Sequence, residues 1–135
     1  LEEWYKFAKN TLKDVEFTNF YLFGSTLYSL PENTPDFSKL KVLRAGLQLG
    51  EIKKGRFEPS HSLAMALKPE NVKECENIPL TDERVEKYLT GSEITTENDA
   101  KGWRLIAVDG YSVGWGKCDG NIIKNHYPKG LRIMK

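Results

Sequence analysis

Apolar residues recur with two different periods along this chain, and the change of period marks its parts. The opening "LEEWYKFAKNTL" spaces Leu1, Trp4, Tyr5, Ala8 and Leu12 as one helix face, with Glu2 and Glu3 near the positive end of the dipole. "FYLFGSTLYSL" follows, rich in aromatics and broken by Gly24-Ser25, and predicts a hairpin or two short strands. The prolines of "PENTPDF" favour turns and mark a loop. In "KVLRAGLQLGEIKKGRFEP" the apolar positions alternate, interrupted by Gly46, Gly50 and Gly55, which predicts strands with bends or bulges and no helix.

Helical spacing returns in "SHSLAMAL", with Ser60 as N-cap, Leu63 and Leu67 on one face, and Pro69 as the stop. A further short helix is expected with Thr81 as its cap, Asp82 and Glu83 in the first turn, Val85 and Leu89 packed, and Gly91 at its end. The last third reads as strands. Asp109-Gly110 and Asp119-Gly120 each separate alternating runs, and Asp-Gly readily takes the positive φ of a tight turn. Residues 103–108, 111–117 and 121–125 are therefore expected to form a three-stranded antiparallel meander. Gly114 and Gly116 flank Trp115 on the middle strand, leaving the face opposite the indole open to another backbone. The acidic stretch 92–101, "SEITTENDAK", is the expected mobile loop. These elements predict an α+β fold: a small mixed or antiparallel β pseudobarrel with short helices.

Composition narrows the class. With 135 residues, 39% hydrophobic and 29% charged, the chain has ordinary globular character. No apolar run approaches the roughly 20 residues that cross a bilayer, so a soluble, cytoplasmic protein without membrane contact is expected. It opens on Leu1 and not on methionine, which points to a piece of a longer protein. Cys75 and Cys118 lack metal-ligand spacing and read as idle thiols of a reducing compartment. Net charge is only +1, but residues 39–68 and 101–135 each carry +5 while 1–38 carry −3 and 69–100 carry −6. If the two basic blocks meet in space, they make a positive face that the total conceals.

No active site is legible. The two histidines, His61 and His126, lie in no metal pattern. "GWGK" is not a phosphate loop, the cysteines have no flanking base, and no metal or cofactor site is expected in the chain itself. Recognition chemistry remains. "EIKKGRFEPSH" offers Lys53, Lys54, Arg56, Phe57 and His61; "KNHYPKGLR" offers Lys124, Asn125, His126, Tyr127, Lys129 and Arg132; Lys117 of "GWGK" joins them. Cations supply phosphate contacts and planar rings supply faces for unstacked bases, so these residues are the expected RNA-binding set. Segments 53–61 and 124–132 are expected on one face. The competing account makes "KNHYPKGLR" the packed end of a barrel, with Tyr127 half-buried against Pro128.

The stretches "LRAGLQLGEIKKGRFEPSHSLAMAL" and "GWRLIAVDGYSVGWGKCDGNIIKNHYPKGLR" resemble the C-terminal region of bacterial RsmF-like ribosomal RNA methyltransferases of the Nol/Nop/Sun group, which make 5-methylcytosine. The resemblance runs from about residue 40 onward. It implies a first C-terminal subdomain over residues 1–68 and a PUA-like RNA-binding domain over residues 69–135, with the two free to share one core. It further implies an upstream catalytic domain that binds S-adenosylmethionine and carries a nucleophilic cysteine. Neither Cys75 nor Cys118 stands in the proline-cysteine context of that nucleophile. The expected role is thus a non-catalytic domain that positions small-subunit ribosomal RNA for its own upstream catalytic domain. The alternative is a protein-interaction module docking on that domain or on a ribosomal protein.

Overall fold

Glycine at the turns and aromatic rings at the first helix decide how this chain folds back on itself. The computed structural model describes residues 1–31, 38, 42–43 and 45–133. Helix α1 (Glu2–Thr11) buries Trp4, Phe7 and Thr11, while Tyr5 stays 57% exposed. Its packed face is therefore rotated from the expected one that held Tyr5. The reason is Trp4, whose ring lies 5.2–6.0 Å from those of Phe7, Phe17, Phe20 and Phe57. Clustered aromatics outweigh the rest of the stripe.

The first sheet is antiparallel in the order β1 (Phe20–Phe23), β2 (Thr26–Ser29), β3 (Leu47–Lys53), β4 (Arg56–Pro59). Its hairpins turn at Gly24 and Gly55, both at positive φ (58° and 73°). Strand β3 starts later than the sequence implied, because Val42, Leu43 and Ala45 are helical. Val42 N donates to Ser38 O and Gly46 N to Val42 O, and Gly46 fits there because any side chain would strike the Val42 carbonyl. The "PENTPDF" loop lies, beyond Pro31, outside the described residues.

Helix α2 (His61–Ala66) is capped as expected, with Ser60 Oγ accepting from Leu63 N at 3.1 Å. Helix α3 (Glu83–Leu89) is capped by Asp82 and not by Thr81: the Asp82 carboxylate accepts from Arg84 N at 2.9 Å. A carboxylate at that position also meets the helix dipole. The second sheet runs β5 (Cys75–Ile78), β7 (Gly102–Val108), β8 (Tyr111–Asp119), β9 (Ile122–Asn125), β6 (Ile94–Thr95). The meander is present. Its first turn is Asp109-Gly110, but its second is Gly120-Asn121, one residue later than expected, since Asp119 pairs directly with Ile122. Strand β5 joins parallel to β7.

Two further expectations fail. Segment 92–101 is no loose loop: Ile94 (2% exposed) and Thr96 (7%) are buried, and β6 pairs with β9. The space beside Gly114 and Gly116 is filled first by the Tyr88 hydroxyl and the Ile123 side chain, and backbone comes near only at Gly116, through Lys124 O. Tyr88 Oη then donates to Trp115 O at 2.8 Å. The result is the α+β curled mixed sheet with few short helices that the pattern predicted. One core cluster takes Trp4, Phe7, Phe57 and Leu63 from the first half with Val72, Leu105 and Trp115 from the second. The other joins Ile78, Tyr88, Ile94, Ile106 and Ile123.

Candidate nucleic-acid interface

Strand register builds a polar rank on the second sheet. The turn at Gly120-Asn121 sets Lys117 opposite Lys124, and a register shift between Ile106 and Ala107 sets Trp103 opposite Lys117. Side chains at paired positions share a face, so Trp103, Lys117 and Lys124 stand in one row across β7, β8 and β9. The Lys117 ammonium lies 5.1 Å from the Trp103 ring centroid. The His126 ring meets the same indole edge-on at 4.6 Å. Like charges directly opposite one another weaken a strand pair. Lys117 and Lys124 are exposed, and among the described residues neither is in a salt bridge.

A second like-charge pair, Lys53 opposite Arg56, sits at the end of the β3–β4 hairpin. Lys53 is neutralised by Glu58 at 2.5 Å, whereas Arg56 and Lys54 are exposed. The Lys53 hydrogen bond holds the Glu58 carboxyl below the usual carboxylate range against the opposing effect of burial, and the charges of Lys53, His126 and Arg56 add to it. Glu58 thus lies beside Lys53 and Arg56 of one expected segment and His126 of the other. The structure brings Arg56 and His126 to one side.

His126 itself is held below the ordinary imidazole pKa by partial burial; Glu58 pulls it back up, and Lys117 and Lys124 push it down.

The remaining expected residues do other work. Asn125 Nδ2 donates to Tyr88 O (2.8 Å) and Ser92 O (3.0 Å), and its Oδ1 accepts from Tyr127 N (2.8 Å). Its side chain ties β9 to the end of α3. Tyr127 is half-buried between His61 (5.7 Å between centroids) and Tyr88 (5.3 Å). Arg132 lies across Gly91, and its Nε donates to Tyr127 O at 3.2 Å. His61 starts α2 with Nδ1 buried and without a hydrogen-bond partner, and burial lowers its pKa. Lys129 is exposed on the final 3-10 turn. Phe57 is corrected outright. At 5% exposure it packs on Trp4 and Phe7 and has no free face for a base, because strand alternation turns it inward where Arg56 points out.

So "KNHYPKGLR" divides its labour. Lys124 and His126 face outward beside Trp103, while Asn125, Tyr127 and Arg132 fasten the C-terminus onto α3. Trp103 is the residue that sequence reasoning missed. Its only signal was the register, which a one-residue shift had moved. Neither thiol has the character of a nucleophile. Burial pushes Cys75 up to about 11, with Glu76 adding and Arg104 opposing, and Cys118 is 1% exposed. Among the described residues no group of three or more His, Cys, Asp or Glu could hold a metal ion, and no helix is long and apolar enough to cross a membrane.

Comparison with known proteins gives two adjacent family matches. The RsmF rRNA methyltransferase first C-terminal domain matches residues 6–67, and the methyltransferase RsmF PUA domain matches residues 75–133. Among curated relatives, the ribosomal RNA small subunit methyltransferase F of Shewanella loihica is 33% identical over 99 residues, covering 72% of this chain and 20% of that protein. That of Shewanella piezotolerans is 31% identical over 117 residues, 82% of this chain and 23% of the relative. That of Aliivibrio fischeri is 26% identical over 117 residues, 86% and 24%. The chain spans between a fifth and a quarter of the length of these relatives.

Proposed function

This chain belongs to the RsmF rRNA methyltransferase family, whose first C-terminal and PUA domains it carries, and from that premise we propose that it holds RNA and does not modify it. The observation that carries the reading is the rank of half-buried Trp103 with exposed Lys117 and Lys124, and His126 against the indole. Two lysines held opposite each other without a carboxylate cost stability that a polyphosphate backbone restores. Arg56, Lys54, Lys53 and Lys129 extend the surface; Phe57 leaves the set. The division near residue 68 is kept as a boundary between sequence domains, although Trp115 and Leu105 pack into the core of the first half.

The catalytic step, with S-adenosylmethionine and a cysteine nucleophile, belongs in this reading to the catalytic domain of the longer protein. The thiols here support that division: one is protonated at neutral pH and the other is sealed. The RNA is small-subunit ribosomal RNA, by analogy with the names of the relatives, and the work is done in the cytoplasm.

The test is the salt dependence of binding to a small-subunit ribosomal RNA fragment. Each phosphate of a single-stranded segment that a lysine neutralises steepens the log–log slope by about 0.7, so changing Lys117 and Lys124 together to glutamate is expected to flatten it by about 1.4. Binding by the parent chain that ignores salt, or a slope unmoved by both changes, counts against the reading.

A further inference from the structure

Beside the lysine rank lies a cleft of about 470 Å³ where the two halves of the chain meet. Helix α1 brings Lys6 and Asn10 to it, the β3–β4 turn brings Arg56, and the start of β7 brings Lys101 and Trp103, with Lys117 across from them on β8. Phe7 and Phe57 supply apolar wall. Two carboxylates reach the rim, Glu3 and Glu74, and Glu74 already accepts from Asn98 Nδ2 at 2.9 Å. Among the described residues none of the four cations is in a salt bridge. Gly55 and Gly102 also border the opening, at φ 73° and 118°. A Cβ on either would meet nothing within 4 Å, so the rim is bare at both places.

We infer that this cleft binds one unpaired nucleotide of RNA, the base on Trp103 and the flanking phosphates on Lys6, Arg56, Lys101 and Lys117. The inference rests on the RNA-holding reading and specifies what is held. A duplex shows no free base face, whereas an unpaired base presents a planar surface that an indole can stack on. Asn10 carries both a donor and an acceptor that suit a base edge. Lys117 makes the site responsive. Its ammonium lies over the Trp103 ring, an attraction weaker than a charge-assisted bond to phosphate. Arrival of a phosphate draws the ammonium off the ring and opens that face for the base. Because Lys6, Asn10 and Arg56 come from one sequence domain and Lys101, Trp103 and Lys117 from the other, neither domain alone holds the complete site.

The experiment compares two labelled RNAs by fluorescence anisotropy on the 135-residue chain: an unstructured single strand, and a fully paired hairpin closed by a minimal loop. Trp103→Ala is expected to weaken single-strand binding by roughly tenfold or more, because the stacking platform is gone, and hairpin binding by less than about threefold. Because Trp103 also touches Trp115 (6.4 Å), a second variant avoids the core: Lys6→Glu with Lys101→Glu on exposed positions, its fold checked by circular dichroism. It too is expected to discriminate against the single strand. Equal losses on both RNAs would make the cleft a general phosphate surface and overturn the inference. Unchanged single-strand binding in both variants, with loss on Lys124→Glu, would also overturn it while leaving the lysine rank standing. A parent chain that binds neither RNA removes the RNA-holding reading itself.

Discussion

Arg104 and Lys117 lie one register position apart on neighbouring strands, yet one cation is sealed and the other open. Arg104 is fully buried and donates to Glu76 Oε1 (3.0 Å), Thr96 Oγ1 (3.2 Å), Asn98 O (2.8 Å) and Ala100 O (2.8 Å). Glu76 is shared with Arg84 at 3.0 Å. Lys117 meets an indole face and faces another lysine. Strand parity puts them on opposite faces, Arg104 with Gly116 and Trp103 with Lys117, and on the face of Lys117 the cover ends beyond the buried Leu105–Trp115 pair. Charge that the fold needs is held inside it. Charge that the fold opposes is left for a partner.

The sharpest break of this contrast is at Arg104. Arg104→Met strips the ion pair from Glu76 and leaves the Asn98 and Ala100 carbonyls without their donor, so a loss of about 3 kcal/mol in urea denaturation is expected, with RNA affinity retained by the folded fraction. Arg104→Lys is expected to recover little, because one ammonium cannot serve acceptors spread around a planar fork. An unchanged midpoint would mean that the enclosed cation is dispensable.

Next in size is Gly114→Ala, expected to cost about 1–3 kcal/mol because its methyl occupies the place of the Tyr88 hydroxyl. Pairing it with Tyr88→Phe is expected to return part of that loss in a double-mutant cycle, unlike two independent changes. The same region shows what was legible in the sequence and why. The meander could be read because its Asp109-Gly110 turn and alternating residues are local signals. The parallel pairing of Cys75–Ile78 with β7 left no such signal, since a four-residue strand finds its partner across the intervening α3. Arg104 looked like any basic residue of a charged block, and the acidic stretch that encloses it looked like a loop. Charge blocks in the sequence point toward the proximity of Arg56 and His126, but nothing local points to Trp103, because the register shift at Ile106 moves it from Gly116 to Lys117. Phe57 was misassigned by adjacency to Arg56, although alternation already put the two on opposite faces.

A smaller effect sharpens the contrast with opposite sign. Lys124→Gln removes the like-charge pair with Lys117 and is expected to raise stability by about 0.2–1 kcal/mol while weakening RNA binding. A variant that loses both stability and binding would make Lys124 part of the fold, as Arg104 is.

The smallest effect separates the two histidines. Burial lowers both imidazole pKa values from the ordinary value of about 6.5, for His61 without opposing charge and for His126 with Glu58 raising it and Lys117 and Lys124 lowering it. Since the folded pKa lies below the unfolded one, the unfolded chain takes up the proton first as pH falls. The stability from the neutral rings is therefore complete above the unfolded value and is lost as pH falls through the lowered folded value. Melting temperature is expected to drop between about pH 7.5 and about pH 5.5, where the imidazoles change charge and ordinary carboxylates do not. His61→Gln is expected to reduce that drop. RNA affinity runs the other way: phosphates beside Lys117 and Lys124 favour a protonated His126, so binding tightens on acidification beyond what the lysines supply. His126→Gln is expected to remove this pH response and His61→Gln to leave it. A response unchanged in His126→Gln would take the ring out of the RNA surface and leave it as packing against Trp103.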